Sequence, residues 1–137
     1  MRELRRPAKL NFELPKPSRL QWLLFAPALA LAAGQLAAWS DYWWIGGRVQ
    51  AAAEEGARAA LAGQDPATQE ALARRAAARR LPGDDLAQAS RVTVHRRPDG
   101  LLVQVSYDAS DRWIHVLRPV LPTPPRTVIK TAVAPMP

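Results

Sequence analysis

Not one of the 137 residues is cysteine, which excludes disulfides, thiolate catalysis and thiolate metal sites. Histidine is nearly as scarce. His95 and His115 are the only two, and neither stands in an HExxH, HxH or carboxylate spacing that would gather ligands around a metal ion. Each reads as an ordinary sheet residue. Glycine-rich phosphate loops, a GxSxG elbow and dinucleotide fingerprints are missing as well. Asp84, Asp85, Asp99, Asp108 and Asp111 fall in turn-like stretches, where an aspartate bonds nearby backbone and does not form an acid/base pair. No repeat of 20 to 50 residues is visible. These absences lead to the expectation of a non-catalytic protein with no cofactor and no metal.

Charge is plentiful but dispersed. Nineteen Lys and Arg against twelve Asp and Glu give a net charge of +7 and a pI near 11.0. A single basic patch would suggest nucleic acid, but these residues are spread over three regions, so membrane phosphates are the expected acidic partner and nucleic acid is not. One cluster, Arg74, Arg75, Arg79 and Arg80, reads as a solvated basic helix end, with an anionic lipid surface as the alternative.

The most informative stretch runs from Leu20 to Ser40, LQWLLFAPALALAAGQLAAWS, without one formal charge. About 20 apolar residues at a 1.5 Å rise cover the roughly 30 Å hydrocarbon layer of a bilayer. Trp22 stands near one end, and Trp39, Tyr42, Trp43 and Trp44 crowd the other, as amphipathic rings do at headgroup level. Arg2, Arg5, Arg6, Lys9, Lys16 and Arg19 precede the run against Glu3 and Glu13, whereas Asp41, Glu54 and Glu55 outnumber Arg48 and Arg58 after it. The positive-inside rule then puts the N-terminus in the cytoplasm. A cleaved signal sequence, with Ala37-Ala38 as its processing site, would have a shorter apolar region and no bulky aromatics directly after it. A buried soluble helix would not explain the flanking charges and tryptophans. Pro27 and Gly34 are tolerated within a membrane helix, and Gly34 would let another helix approach closely. Asp41, at the outer edge, reads as an interfacial residue.

Beyond the run, Ile45, Val49, Ala52, Ala53, Ala57, Ala60 and Leu61 recur at spacings of three and four, which extends the helix outside the membrane as far as Gly63. Gly46-Gly47 is an expected weak point. Asp65 followed by Pro66 is an N-cap and first-turn pair for a second helix reaching about Arg80, with Leu72, Ala76 and Leu81 on its apolar face. Leu81 to Asp84 breaks it. The period then changes to two: Arg91 to Arg97 and Leu101 to Tyr107 predict a hairpin around Pro98-Asp99-Gly100, Trp113 to Leu117 a third extended segment, and Thr127 to Val133 a last strand after the prolines of residues 119 to 125.

This order of features resembles the TadE-like pseudopilins of tight-adherence pilus systems. The resemblance rests on Pro27 and Gly34 in the apolar helix, the aromatic exit at Tyr42, Trp43 and Trp44, Glu55-Gly56-Ala57-Arg58 closing AAAEEGAR, and the β region VTV, LLVQVSY and TVIKTAV. It covers most of the chain after Arg19. It implies a pilin-like subunit, N-terminus inside, whose helix packs against other subunits through Pro27, Gly34, Glu55, Gly56 and Arg58. Family members usually carry a Gly at a prepilin cleavage site and a Glu near the start of the mature helix. Here no Gly precedes Pro27, and Gln21 stands about where the Glu would be.

The expected organisation is a basic cytoplasmic tail (1–19), a transmembrane helix (20–44), an extracytoplasmic α+β domain with a second helix and a small antiparallel sheet (45–134), and a short C-terminal tail (135–137). The expected role is a single-pass subunit of a bacterial inner membrane, partnered by lipids and by other membrane proteins. The alternative is a structural accessory subunit of a large respiratory, photosynthetic or secretion complex. There the tail, through Leu10, Phe12 and Leu14, would lie extended along a partner, the other reading being a freely disordered lipid-binding tail.

Overall fold

The computed structural model describes residue 16, residues 18–81 and residues 83–136. Of the basic tail, Lys16 and Arg19 are described and both are exposed, whereas Arg2, Arg5, Arg6 and Lys9 lie outside the described residues. The first helix, α1, spans Arg19–Ala60. Its start is fixed by a reciprocal cap: the Ser18 amide donates to the Gln21 side-chain oxygen at 2.9 Å, and the Gln21 amide to the Ser18 hydroxyl at 3.4 Å. This satisfies two of the amides that a helix start leaves without partners.

The chain divides into two compact units, Met1–Ala33 and Gly34–Pro137. In the first, the described helical residues are exposed on every side, including Leu20, Leu23, Leu24, Phe25, Leu29 and Leu31. By length and composition α1 is long and apolar enough to cross a membrane.

The second unit is an α+β fold. Its part of α1 buries Ala38, Ile45, Gly46, Val49, Ala52, Ala53, Gly56, Ala57 and Ala60, one stripe at helical spacing. The helix passes through Gly46-Gly47 without a break. Each glycine costs roughly 1 kcal/mol of helix stability, and the buried Ile45 and Val49 on either side offset that by fixing the backbone against the sheet. α1 stops at Ala60, short of Gly63, and leaves Leu61 exposed outside the core.

Asp65 caps α2 (Pro66–Arg80), its carboxylate accepting from the Thr68 amide at 3.0 Å. The buried face of α2 is Gln69, Ala73, Ala76 and Ala77, with Leu81 buried just after it; Leu72 is half-buried. Gln69 is buried because its amide donates to the Gly63 carbonyl at 3.1 Å and closes the turn between the helices. A Cβ at Gly63 would lie 2.7 Å from the Gln69 nitrogen, so the turn requires glycine there. One further turn of helix, α3 (Asp84–Gln88), occupies part of the stretch expected only to break α2.

Strands β1 (Ser90–Arg97), β2 (Gly100–Asp108) and β3 (Thr127–Ala134) form an antiparallel sheet in the order β1-β2-β3. Arg97 pairs with Gly100, Val94 with Val103, Val103 with Ala132 and Tyr107 with Val128. Residues of one parity therefore share the inner face, where Val92, Leu101, Val103, Val105, Tyr107, Val128 and Ala134 join the helical alanines in a single core. Alanine at the contacts brings the helices close to the sheet.

Trp113–Leu117 is not extended. It forms a 3-10 helix, closed by amide bonds from Arg112 to Ala109 and from His115 to Arg112, both 3.1 Å. The segment's backbone is satisfied by these local three-residue bonds and not by a strand ladder, and the sheet keeps three strands. His115 accordingly sits on this helix and not in a strand, while His95 lies in β1.

Candidate functional site

Two groups of side chains stand out in the second unit. The first lies where α1 meets α2. Gly56 presents no side chain to α2: a Cβ there would come within 3.2 Å of the Ala73 carbonyl oxygen and 3.4 Å of Val103 Cγ1. Flanking it, Glu55 accepts from Arg58 one turn along at 2.9 Å and faces Arg80 of α2 at 3.7 Å. The Glu55-Gly56-Ala57-Arg58 segment thus combines close backbone approach with a carboxylate shared by two guanidinium groups. Arg58 and Arg80 are exposed and Glu55 is half-buried, and such surface pairs contribute at most about 1 kcal/mol. Arg74, also in the basic cluster, pairs with Glu70 at 2.6 Å, while Arg75, Arg79 and Arg80 are exposed.

The second group gathers along α1 between Gln35 and Arg48. Trp39 and Tyr42 meet edge to face, ring centroids 5.9 Å apart at 77°. Arg48 lies over the Trp44 ring at 5.1 Å, a cation–π arrangement. Trp43 is exposed. Asp41 does not simply face solvent: its carboxylate lies 3.5 Å from Arg112, and both side chains are only about 30% accessible (Arg112 30%, Asp41 28%). Arg112 also donates to the Tyr107 hydroxyl at 3.3 Å. Burial works against the Arg112 charge, but the bond to Tyr107 and the Asp41 carboxylate outweigh it and raise the pKa above its ordinary value.

Next to this pair, Ile45, Ile114, His115 and Val128 help line a cavity of about 10 Å3, too small for any substrate larger than water. His115 Nδ1 is buried there without a hydrogen-bond partner among the described residues. Gln35 reaches across to the segment before β3, donating to the Pro122 carbonyl at 2.7 Å.

No family model matches the chain, and no curated protein or solved structure is similar to it. Among the described residues, no three His, Asp or Glu side chains converge where a metal ion could bind. Both groups are built to hold elements together and to present aromatic and basic side chains outward.

Leu10, Phe12 and Leu14, like the arginines before them, lie outside the described residues, and the other described residues expected to contact lipid or a partner are open. Trp22 and Pro27 are exposed, and nothing comes within 4 Å of a Cβ built at Gly34. Sequence reading missed the Asp41–Arg112–Tyr107 group and the Gln35–Pro122 bond. The available signal for the latter was an amide in the middle of a mostly apolar run, and its partner is 87 residues away.

Proposed function

We propose that this chain is a non-catalytic, single-pass membrane subunit with a pilin-like role in assembly: α1 anchors it in the bacterial inner membrane, N-terminus inside, and the α+β unit stands on the periplasmic side. The observation that carries this reading is the change in α1. Up to Ala33 it exposes leucine and phenylalanine on all sides, and from Ala38 onward its small residues form the core of a folded unit. A helix apolar all round is stable only in lipid or among other helices. Cleavage near Ala38 would cut the chain at a buried core position, which argues against a removable signal sequence.

A second reading, a structural accessory subunit that keeps its tail, is favoured by one observation. Gln21, near where the pilin family places a buried glutamate, is engaged locally in the cap with Ser18. That glutamate would pair with a neighbour's N-terminal amine, and Gln21 carries no charge for such a pair.

Gentle detergent extraction, followed by mass spectrometry of the intact chain and its co-purifying proteins, tests both. A chain shortened near Arg19 and travelling with pilus proteins supports the pilin-like role; an intact chain migrating with a large enzyme complex supports the accessory one. A purified protein with catalytic turnover of its own would overturn both. In either role, replacing Glu55 or Arg58 should lower recovery of the assembled complex while costing the isolated chain no more than about 1 kcal/mol.

A further inference from the structure

The segment between the 3-10 helix and β3 carries apolar side chains that the fold leaves uncovered. Trp113 is 52% exposed, Val116 78% and Val120 70%. Trp113 and Val116 are three residues apart on a 3-10 helix, so they project from the same side. Ile114 and Pro124 of the same segment are buried and hold it against the unit. Isolated surface hydrophobics need no explanation, but three in one short segment beside an aromatic belt do.

The bond from Gln35 to Pro122 indicates what covers them. Gln35 precedes Trp39 by four residues, a rise of about 6 Å along α1, and belongs to the uncharged run 20–40. Pro122 is therefore fastened beyond the tryptophan level, on the side where hydrocarbon begins. The chemistry of the segment suits that depth. Pro119, Pro122, Pro124 and Pro125 have no amide hydrogen, and the Val120 and Leu121 amides are both bonded to the Leu117 carbonyl, at 3.0 and 2.9 Å. Few donors remain to be desolvated, which is the main cost of bringing an irregular loop to a bilayer. Arg118, between Val116 and Val120, and Arg126, at the end of the segment, are exposed and form no ion pair among the described residues; their long stems let the guanidinium groups reach up to lipid phosphates.

We propose that residues 113–126 form a second membrane contact: Trp113, Val116 and Val120 enter the headgroup–acyl boundary of the bilayer that α1 crosses, with Arg118 and Arg126 on anionic headgroups. This rests on the membrane-anchored reading above and adds a fixed seat for the folded unit on the lipid surface.

Because the chain has no cysteine, single fluorophores can be attached at chosen positions. Val116→Cys and Val120→Cys test the segment, Leu24→Cys tests the anchor, and Gln64→Cys in the exposed α1–α2 turn is the aqueous control. Each full-length variant is labelled and reconstituted in phosphatidylethanolamine–phosphatidylglycerol vesicles, with nitroxide quenchers carried either high or deep on the acyl chain. The expected result is several-fold stronger quenching at 116 and 120 than at 64 by the shallow quencher, with 24 responding to the deep one. Quenching at 24 while 116 and 120 behave like 64 would overturn the lipid seat and leave the anchor standing. A label at 24 that no lipid quencher reaches would overturn the anchor and the seat together.

Discussion

At the level of single residues, glycine at two places in one helix has opposite consequences. A Cβ at Gly47 meets nothing within 4 Å, so Gly47→Ala should stabilise the folded unit by about 0.5–1 kcal/mol through helix propensity alone. At Gly56 the same methyl presses on the Ala73 carbonyl, which cancels that gain, and Gly56→Leu should cost about 1–3 kcal/mol by overpacking. Urea unfolding of the full chain in detergent micelles separates the three variants. Asp65 makes a prediction in pH. The Thr68 hydroxyl and amide hold its carboxyl below the usual carboxylate range, so its contribution is complete above the unfolded value of about 3.9 and disappears as pH falls through the lower, folded value. Melting curves between neutral pH and pH 3 should show the wild type losing stability relative to Asp65→Asn on the acid side. Asp108, lowered by its bonds to the Ser110 hydroxyl and amide, shifts in the same direction.

Among elements, periodicity was legible wherever burial is one-sided. The stripe Ile45, Val49, Ala52, Ala53, Ala57 and Ala60 and the alternation Leu101, Val103, Val105 and Tyr107 are the observed buried faces. Asp65-Pro66 marked the start of α2 because cap chemistry is local. What could not be read depends on distant partners. Trp113 to Leu117 has the composition of a strand, but the second edge of β2 goes to β3, ten residues later, and this segment closes on local three-residue bonds instead. Arg112 gave no sign that it would link Asp41 to Tyr107: Tyr107 is five residues before it in β2, but Asp41 lies far back on α1. The fully buried Leu101 sits where the sheet meets the alanine faces, so Leu101→Ala should cost about 2–5 kcal/mol. The same substitution at Leu61, exposed past the end of α1, should change stability by less than about 0.5 kcal/mol; denaturant midpoints of the two variants check this.

For the molecule as a whole, the membrane reading makes its own demand. An arginine at the centre of the apolar run costs roughly 2.5–3.5 kcal/mol of insertion free energy, so Ala30→Arg should move a large share of the protein out of the carbonate-resistant membrane fraction. Full retention there would count against the anchor. The EGAR segment suggested a family and an assembly role, and the Glu55–Arg58–Arg80 contacts give those residues a job inside the subunit as well; co-purification is what separates the two uses.

The sheet that α1 packs against is made after it. Ribosomal synthesis delivers Gly34 to Ala60 first, whereas Val128 and Ala134, which complete the inner face, emerge some seventy residues later. The alanine stripe gains the last of its cover only when β3 is made, and the Gln35–Pro122 clasp closes only near the end. A chain halted before β3 would have the β1–β2 hairpin but lack Val128 and Ala134, which leaves the inner face of the core incomplete. Quality control of this chain is thus a question of timing: a protease would meet an unfinished chain with one edge of β2 open, and would lose that target once residues 127–134 pair with β2.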